Sequence, residues 1–462
     1  FGTSTIYNTY LAGAIGVVPE TVHRFNSNYA NATYTYDNRY NVFGSYRIDY
    51  ADVFGLDEKF RGKPLWSTGI GWNLQNEQFL SSVSWINFLK LRATYGITGN
   101  IVQGISSFLT ANSTLSNPVT NQPLSVVTNA ANPDLRWEKT ATVNLGLDFS
   151  LLTGRLNGSV DWYRKKSSDI LITQRLDPSE GFTSQIINNG SLTNNGLEFN
   201  LEYSWCKPTR RNDFSWSTTA VLSWNKNKVT YIDEVATTPL ALAQGGYKAG
   251  YPVNSLFSFQ YKGLNSVGQP QWLKGDGSLS TIALTGNDLG AITYSGSTDP
   301  QLNVNMANEF HYKGFGLYIL MVYYSGQHLR ALVPEILSGV PYGPLPAYVT
   351  NSWTPQNTNT IIPGFGQYAP GTYPGTQAAP ASQLAYSDSF VRSGDFLKIR
   401  SAALSYQVPQ KFNRLLASKN INLRFQLNNP KALWTRNKIG IDPETGGASL
   451  PTSYVLGINV NY

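Results

Sequence analysis

The chain has 462 residues, 41% hydrophobic and 14% charged, with 28 Tyr, 21 Phe and 11 Trp. That aromatic content excludes a disordered chain, and the composition lacks the Glu, Lys and Leu excess of a coiled coil. Its 35 basic and 28 acidic residues leave a mild net charge of +7 without any basic run, so nothing marks a nucleic-acid tract.

The longest apolar-looking stretch, Gly314 to Tyr324, is far shorter than the about 20 residues a membrane helix needs. A single cysteine, Cys206, excludes an intramolecular disulfide framework. With three histidines (His23, His311, His328) and no HExxH or C-x-x-C spacing, no metal centre or cofactor is expected. The chain starts at Phe1 without Met, basic n-region or apolar h-region, and reads as a mature piece or a fragment.

In chain order, period-two alternation predicts strands at 29–36, 40–50, 64–74, 86–97, 139–151, 155–166, 196–205, 215–225, 302–312, 314–324, 396–407, 420–428 and 453–462. Val143, Leu145, Leu147, Phe149 and Leu151, for instance, interleave with Asn144, Gly146, Asp148 and Ser150. Leu197 to Trp205, Ile421 to Leu427 and Tyr454 to Tyr462 repeat the pattern. Successive side chains of a strand face opposite sides, so each segment carries one apolar and one polar face. A soluble β-sandwich gives the same alternation. Two features favour an antiparallel transmembrane β-barrel: strands of about ten residues, and aromatics at the ends of the apolar face, among them Tyr95, Tyr203, Trp205, Trp216, Trp224, Tyr454 and Tyr462.

Connection lengths test that reading. Those at 37–39, 75–85, 152–154, 206–214, around Lys313 and at 408–419 are short; those at 51–63, 98–138, 167–195, 325–395 and 429–452 are mostly long. Short periplasmic turns and long outer loops alternate in such barrels. Between 226 and 301, parity asks for zero or two more strands; 255–263 is an obvious candidate and 289–296 a weaker one. The total is 13 or 15. An odd antiparallel set cannot close with regular pairing, and an open edge in lipid leaves backbone groups unsatisfied. The expectation is therefore that residues 1–462 are the C-terminal part of a larger barrel, with 325–395 a long, ordered extracellular loop.

No catalytic constellation assembles, and no enzyme activity is expected. Glu198 and Glu202 share one polar strand face, as does His311 with Asn303, Asn305 and Glu309; wetted lumen residues account for both sets. Asp276 in KGDGS reads as a turn. Lys90, Arg92 and Arg424 on polar faces suit either an aqueous cavity or pairing with acids of something that fills it. The loop aromatics Tyr342, Tyr348, Trp353, Tyr368, Tyr373 and Trp434 are candidate substrate contacts, because rings offer apolar faces to sugars and peptide side chains.

Several segments together resemble one family. SWINFLKLRATYGITGN (Ser84–Asn100), NPDLRWEKTATVNLGLDFSLLTGRLNGSVDWYRKKSSDIL (Asn132–Leu171), GSLTNNGLEFNLEY (Gly190–Tyr203), AGYPVNSLFSFQYKGL (Ala249–Leu264), DFLKIRSAALSYQVPQKF (Asp395–Phe412) and LWTRNKIGIDPETGG (Leu433–Gly447) occur in the order found in SusC-type TonB-dependent outer-membrane transporters of Bacteroidetes, the RagA/SusC family. The resemblance implies a plugged barrel of about 22 strands, whose plug and TonB box are absent from this chain. It implies a multi-pass location in the bacterial outer membrane. Tyr454, Leu456, Ile458, Val460 and Tyr462 then resemble the terminal signal for barrel insertion. Implied partners are outer-membrane lipid, a SusD-type surface lipoprotein and the TonB complex, which acts through the missing N-terminal region. The implied activity is energised import of a glycan or peptide. A structural barrel subunit of a larger surface complex is the competing reading.

Overall fold

In the computed structural model the described residues are 25–51, 62–100, 107–331, 350–364, 381–415 and 418–462, apart from 118, 178, 180, 211–212, 234–235, 237, 285 and 287. One antiparallel sheet dominates. Its long strands are β1 (Phe25–Tyr36), β2 (Tyr40–Ala51), β3 (Gly62–Asn73), β4 (Ile86–Asn100), β5 (Glu138–Leu151), β6 (Leu156–Arg175), β7 (Ser184–Cys206), β8 (Ser215–Ile232), β9 (Leu302–Tyr312), β10 (Phe315–Ser325), β11 (Phe396–Gln407), β12 (Asn420–Asn428) and β13 (Ser453–Asn461). Each hydrogen-bonds to the next in sequence, and the short strand Trp434–Thr435 adds to β11. Among the described residues, no helix is long and apolar enough to cross a membrane.

Turn chemistry sets the register of the tight hairpins. Asp37 and Asn38 adopt φ of 50° and 52° between β1 and β2. Lys313 and Gly314 do the same (46° and 87°) between β9 and β10, the left-handed pair a two-residue hairpin requires. The β9–β10 ladder then runs without a slip from Tyr312 opposite Phe315 to Leu302 opposite Ser325.

Two expectations need correction. The segment 255–263 is not a wall strand. Ser255–Phe259 pairs with Ile292–Ser297, and Tyr261–Leu264 pairs with Pro270–Leu273, in two small sheets separate from the large one. Ser255–Phe259 is buried on both faces, Phe257 and Phe259 at 2% and 0% and Ser258 at 0% exposure, while Tyr261 and Trp272 of the second sheet are 7% and 0% exposed. A one-sided alternation test cannot recognise such a segment. The connection 167–195 is also mostly strand, since β6 and β7 extend well past their apolar–polar stretches in polar sequence.

Contacts group the chain into two units that share several strands, and each is described by itself. The first comprises Phe1–Ile70, Ala93–Val143 and Lys165–Leu192. Here the NPDLRW segment forms a clasp: Asn132 Nδ2 donates to the Ile186 carbonyl (2.7 Å), and its Oδ1 accepts from the Asp134 amide (3.1 Å). Arg136 Nη2 donates to Asp169 Oδ1 (2.7 Å), while Asn188 donates to the carbonyls of Arg136 and Asp169. Leu135 and Trp137 are buried beneath.

The second unit comprises Gly71–Arg92, Asn144–Arg164 and Thr193–Tyr462. On its polar face Asn225 Nδ2 donates to the Tyr163 hydroxyl (2.7 Å). Gly196 lies under that Tyr163 ring, where an added Cβ would stand 2.2 Å from Cζ. Residues 163, 196 and 225 therefore share one rung across three strands. On the apolar face of the same unit Trp205 stacks on Trp216 (centroids 4.9 Å) and Trp216 on Phe310 (5.5 Å). The indole N–H groups are satisfied by Thr218 and Asn308. A Gly196→Leu variant forces Tyr163 aside at an overpacking cost of about 1–3 kcal/mol. We expect a smaller heat-modifiable folded fraction on unboiled gels, with Gly457→Ala, whose Cβ meets only Arg424 Cβ at 3.9 Å, as the neutral comparison.

Candidate functional site

On the polar face of the second unit one cation is neutralised by acids of the neighbouring strands. Arg92 on β4 donates through Nε to Asp148 Oδ2 (2.7 Å) and through Nη2 to Asp148 Oδ1 (2.9 Å) and Asp161 Oδ1 (3.1 Å). One guanidinium thus ties acids of β5 and β6 into a bidentate fork. Neither sequence alternative for Arg92, an aqueous cavity or acids of something that fills it, is what is observed; its partners are acids of the neighbouring wall strands. Near the ends of β9–β13 that carry the short turns, a cavity of about 550 Å³ is lined by Glu309, His311, Tyr318, Ser405, Asn422 and Arg424. His311 Nε2 lies 4.0 Å from Glu309 Oε2, and both side chains are open to solvent.

At the opposite end, connections fold back on the strands. The segment after β12 places Asp442 and Glu444 beside Lys398 and Arg400 of β11. Lys398 Nζ donates to Asp442 Oδ1 and Oδ2 (2.7 and 2.6 Å) and to Glu444 Oε2 (3.0 Å). Arg400 Nη1 donates to Glu444 Oε2 (3.2 Å), and its Nη2 also bonds Glu444. The side chains of Lys398 and Asp442 are only 9% and 3% exposed. Burial pushes both carboxyls up; the hydrogen bonds and charges of Lys398 and Arg400 outweigh it, holding Asp442 and Glu444 below their ordinary range. The signal was legible in DFLKIR and IDPETGG: two cations and two acids, each pair spaced by two, on segments that meet. Their spacing alone does not say that they meet.

Two connections, β8–β9 and β10–β11, build a small folded assembly at this same end. Phe259, Tyr261 and Trp272 pack with Ala243 and Leu384. The Tyr261 amide donates to Asp388 Oδ1 (3.0 Å) and its hydroxyl to the Ile361 carbonyl (2.7 Å). Arg330 enters beneath, donating to the Phe257 carbonyl (3.0 Å) and to Ser258 Oγ (3.3 Å), with the Tyr386 ring 5.0 Å from its guanidinium carbon. Burial lowers the Arg330 pKa from its ordinary value.

Of the aromatic candidates, Tyr342, Tyr348, Tyr368 and Tyr373 lie outside the described residues. Trp353 is half-buried and lies over Gly268, where an added Cβ would meet the indole at 2.4 Å, so it helps to hold the 261–273 hairpin. Trp434 pairs with Leu397, which pairs with Tyr323; the Trp434 and Tyr323 rings are 6.5 Å apart. These two candidates belong to different neighbourhoods. Tyr454, Leu456 and Ile458 project from β13 at 70%, 82% and 73% exposure, Tyr462 follows the strand at 78%, and Val460 is half-buried opposite Ile421. Among the described residues, no three His, Cys, Asp or Glu side chains gather as metal ligands.

Replacing Lys398 with Met strands the buried Asp442 carboxylate, while Glu444 keeps Arg400, at a cost of about 3 kcal/mol or more. Hydrogen exchange of the 429–452 peptides should accelerate in Lys398→Met. In the unmodified protein that protection is complete above about pH 4.5 and is lost as pH falls through the depressed folded values.

Against known proteins, the family model described as TonB dependent receptor-like, beta-barrel matches residues 2–333. TonB-dependent receptor P3 of Formosa agariphila is 26% identical over 465 residues, covering 95% of this chain and 44% of that protein. TonB-dependent receptor SusC of Bacteroides thetaiotaomicron is 30% identical over 253 residues, covering 51% of this chain and 25% of SusC. The RagAB peptide transporter structure superposes with a TM-score of 0.76 at 23% identity, over 95% of this chain and 48% of that one, a likeness of fold. The chain spans about half the length of the relatives it matches along nearly all of its own. The chain belongs to the TonB-dependent receptor β-barrel family, whose members cross the outer membrane with strands.

Proposed function

We propose that this chain supplies wall and outer loops to a TonB-energised importer, with a SusD-type surface lipoprotein over its long-connection end. In this reading that end faces the cell exterior, as long loops do in such barrels. The cargo is an oligosaccharide or a peptide. A relative is named SusC and a structure of similar fold is titled a peptide transporter; both support the class without choosing the cargo.

The observation that carries the reading is the folded assembly around Trp272 and Arg330. Long connections that served only as tethers would have no reason to bury Phe259 and Trp272 completely. An ordered platform of this kind can seat a lid and present a binding surface with little ordering entropy left to lose. Tyr342, Tyr348, Trp353, Tyr368 and Tyr373 are the aromatics we assign to cargo. Trp434, on a rung with Leu397 and Tyr323, suits the membrane-interface band instead. Energy coupling is assigned to the TonB complex, acting through a plug-bearing region N-terminal to the segment described.

The test uses the full-length protein with an affinity tag. A lipoprotein should co-purify with it, and Trp272→Ala should reduce the amount captured several-fold while leaving barrel mobility on gels unchanged. Deletion of the gene should abolish uptake of whichever cargo co-purifies. A lipoprotein complex with unimpaired uptake would favour the structural-subunit reading. In a protein with every other thiol replaced, Cys206 should resist an impermeant maleimide on intact cells, whereas Ser278→Cys should react. The reverse pattern would invert the proposed orientation.

A further inference from the structure

The rung through Tyr163, Gly196 and Asn225 fixes what lies on its other side. Neighbouring residues of a strand face opposite ways, so Trp162 and Trp224 stand level on the apolar face, two strands apart. Arg164 and Lys226 stand level one step farther along, toward the long connections. Lys228 follows one more step along β8. Both tryptophans are 40% exposed, and the three cations are exposed as well.

This height has a physical meaning. Trp216, in the stacked set near the short turns, and Trp224 lie eight residues apart on β8, about 26 Å of strand. Tilted by about 40°, that length spans ~20 Å, close to the apolar band of a barrel. Trp162 and Trp224 therefore mark one membrane interface, and Arg164, Lys226 and Lys228 occupy the headgroup layer just beyond it. Their charge is uncompensated on that face: among the described residues none of the three pairs with a carboxylate. Asp161, three residues before Arg164, is turned to the polar face and held by Arg92. Asp299, on the connection beside β8, is held by Asn254 Nδ2 (3.0 and 2.9 Å).

We infer that Arg164, Lys226 and Lys228 form a binding site for the phosphate of a lipid headgroup in the leaflet that meets the long-connection end. Arg164 and Lys226 rise from backbones about 10 Å apart, and Lys226 and Lys228 from points about 7 Å apart. Side chains of that length converge on one phosphate, with the guanidinium as a bidentate fork and the ammonium groups as point charges. The tryptophan rings below cover the lipid's upper chain segments. The site depends only on the lipid-facing wall; that its leaflet is the outer one rests on the orientation proposed above.

The experiment titrates the full-length protein, in a mild non-ionic detergent, with diphosphoryl lipid A and separately with its dephosphorylated counterpart. Bound lipid is counted by native mass spectrometry. The unmodified protein should prefer the phosphorylated lipid. Arg164→Gln/Lys226→Gln/Lys228→Gln should lose that preference at least five-fold, and the charge-preserving Arg164→Lys/Lys226→Arg/Lys228→Arg should retain it. Lys262→Gln, in a loop hairpin, should behave as the unmodified protein. If the triple Gln variant fails the heat-modifiability check for folding, Arg164→Gln and Lys226→Gln singly should each lose about half the preference. Equal binding of the two lipids by the unmodified protein, or unchanged preference in folded Gln variants, overturns the site. Inverted thiol labelling would move the site to the other leaflet without altering the lipid titration, so the two failures are distinguishable.

Discussion

A strand in lipid has no water to satisfy its N–H and C=O groups, so each must find a partner in the neighbouring strand. Most of what is described above follows from that demand. It forces long ladders such as the one from Tyr312–Phe315 to Leu302–Ser325. It also forces every side chain onto one of two faces with different solvents. The hydrophobic content can then remain modest, because only alternate residues of each strand need be apolar. The low overall charge follows too, since a cation or acid is tolerated only on the polar face or beyond the aromatic band.

The polar face resolves its charges locally. Arg92 with Asp148 and Asp161, and Lys398 and Arg400 with Asp442 and Glu444, are networks in which each guanidinium or ammonium meets more than one oxygen. They differ in what they join. The first ties adjacent strands of the wall and stiffens a surface already held by its backbone. The second ties a connection to a strand, beside the Arg436–Asp395 pair and the Trp434–Thr435 pairing that hold the same connection. Buried ion pairs add little net stability over well-packed apolar groups, yet breaking one is costly. The second network therefore acts chiefly as a positional lock on the loop.

How much was legible in the sequence depended on whether a residue obeyed the two-faced rule. The wall strands were readable to within a few residues wherever an apolar stripe opposed a polar one, as in β5, β9 and β12. The rule failed in both directions outside the apolar band. β6 and β7 continue in polar sequence because pairing with each other satisfies their backbones in water as well. Ser255–Phe259 is buried on both sides and mimics a wall strand while belonging to the loop assembly. At the candidate site, Arg92 was recognisable as a polar-face cation, but its partners were not, because register across strands is set by hairpins and not by the strand's own pattern. Trp353 and Trp434 looked alike as loop aromatics. One packs on a glycine turn and the other stands on a strand rung, a distinction made by contacts with residues far off in sequence.

The assembly around Trp272 has a consequence for the order of folding. Its core brings together Ala243, Phe259, Trp272 and Leu384, and Tyr261 bonds to Ile361 and Asp388, partners separated by 100 and 127 positions along the chain. Closing loops of that size in a free chain is entropically costly and slow. Once β8 to β11 have paired, however, the ends of those loops are already held near one another and the remaining search is short. The assembly is thus a late event, completed on a scaffold that the membrane strands provide. Phe259 and Trp272 stay uncovered until then, so the interval between wall formation and loop docking is when this chain is most exposed to proteases and to unwanted association.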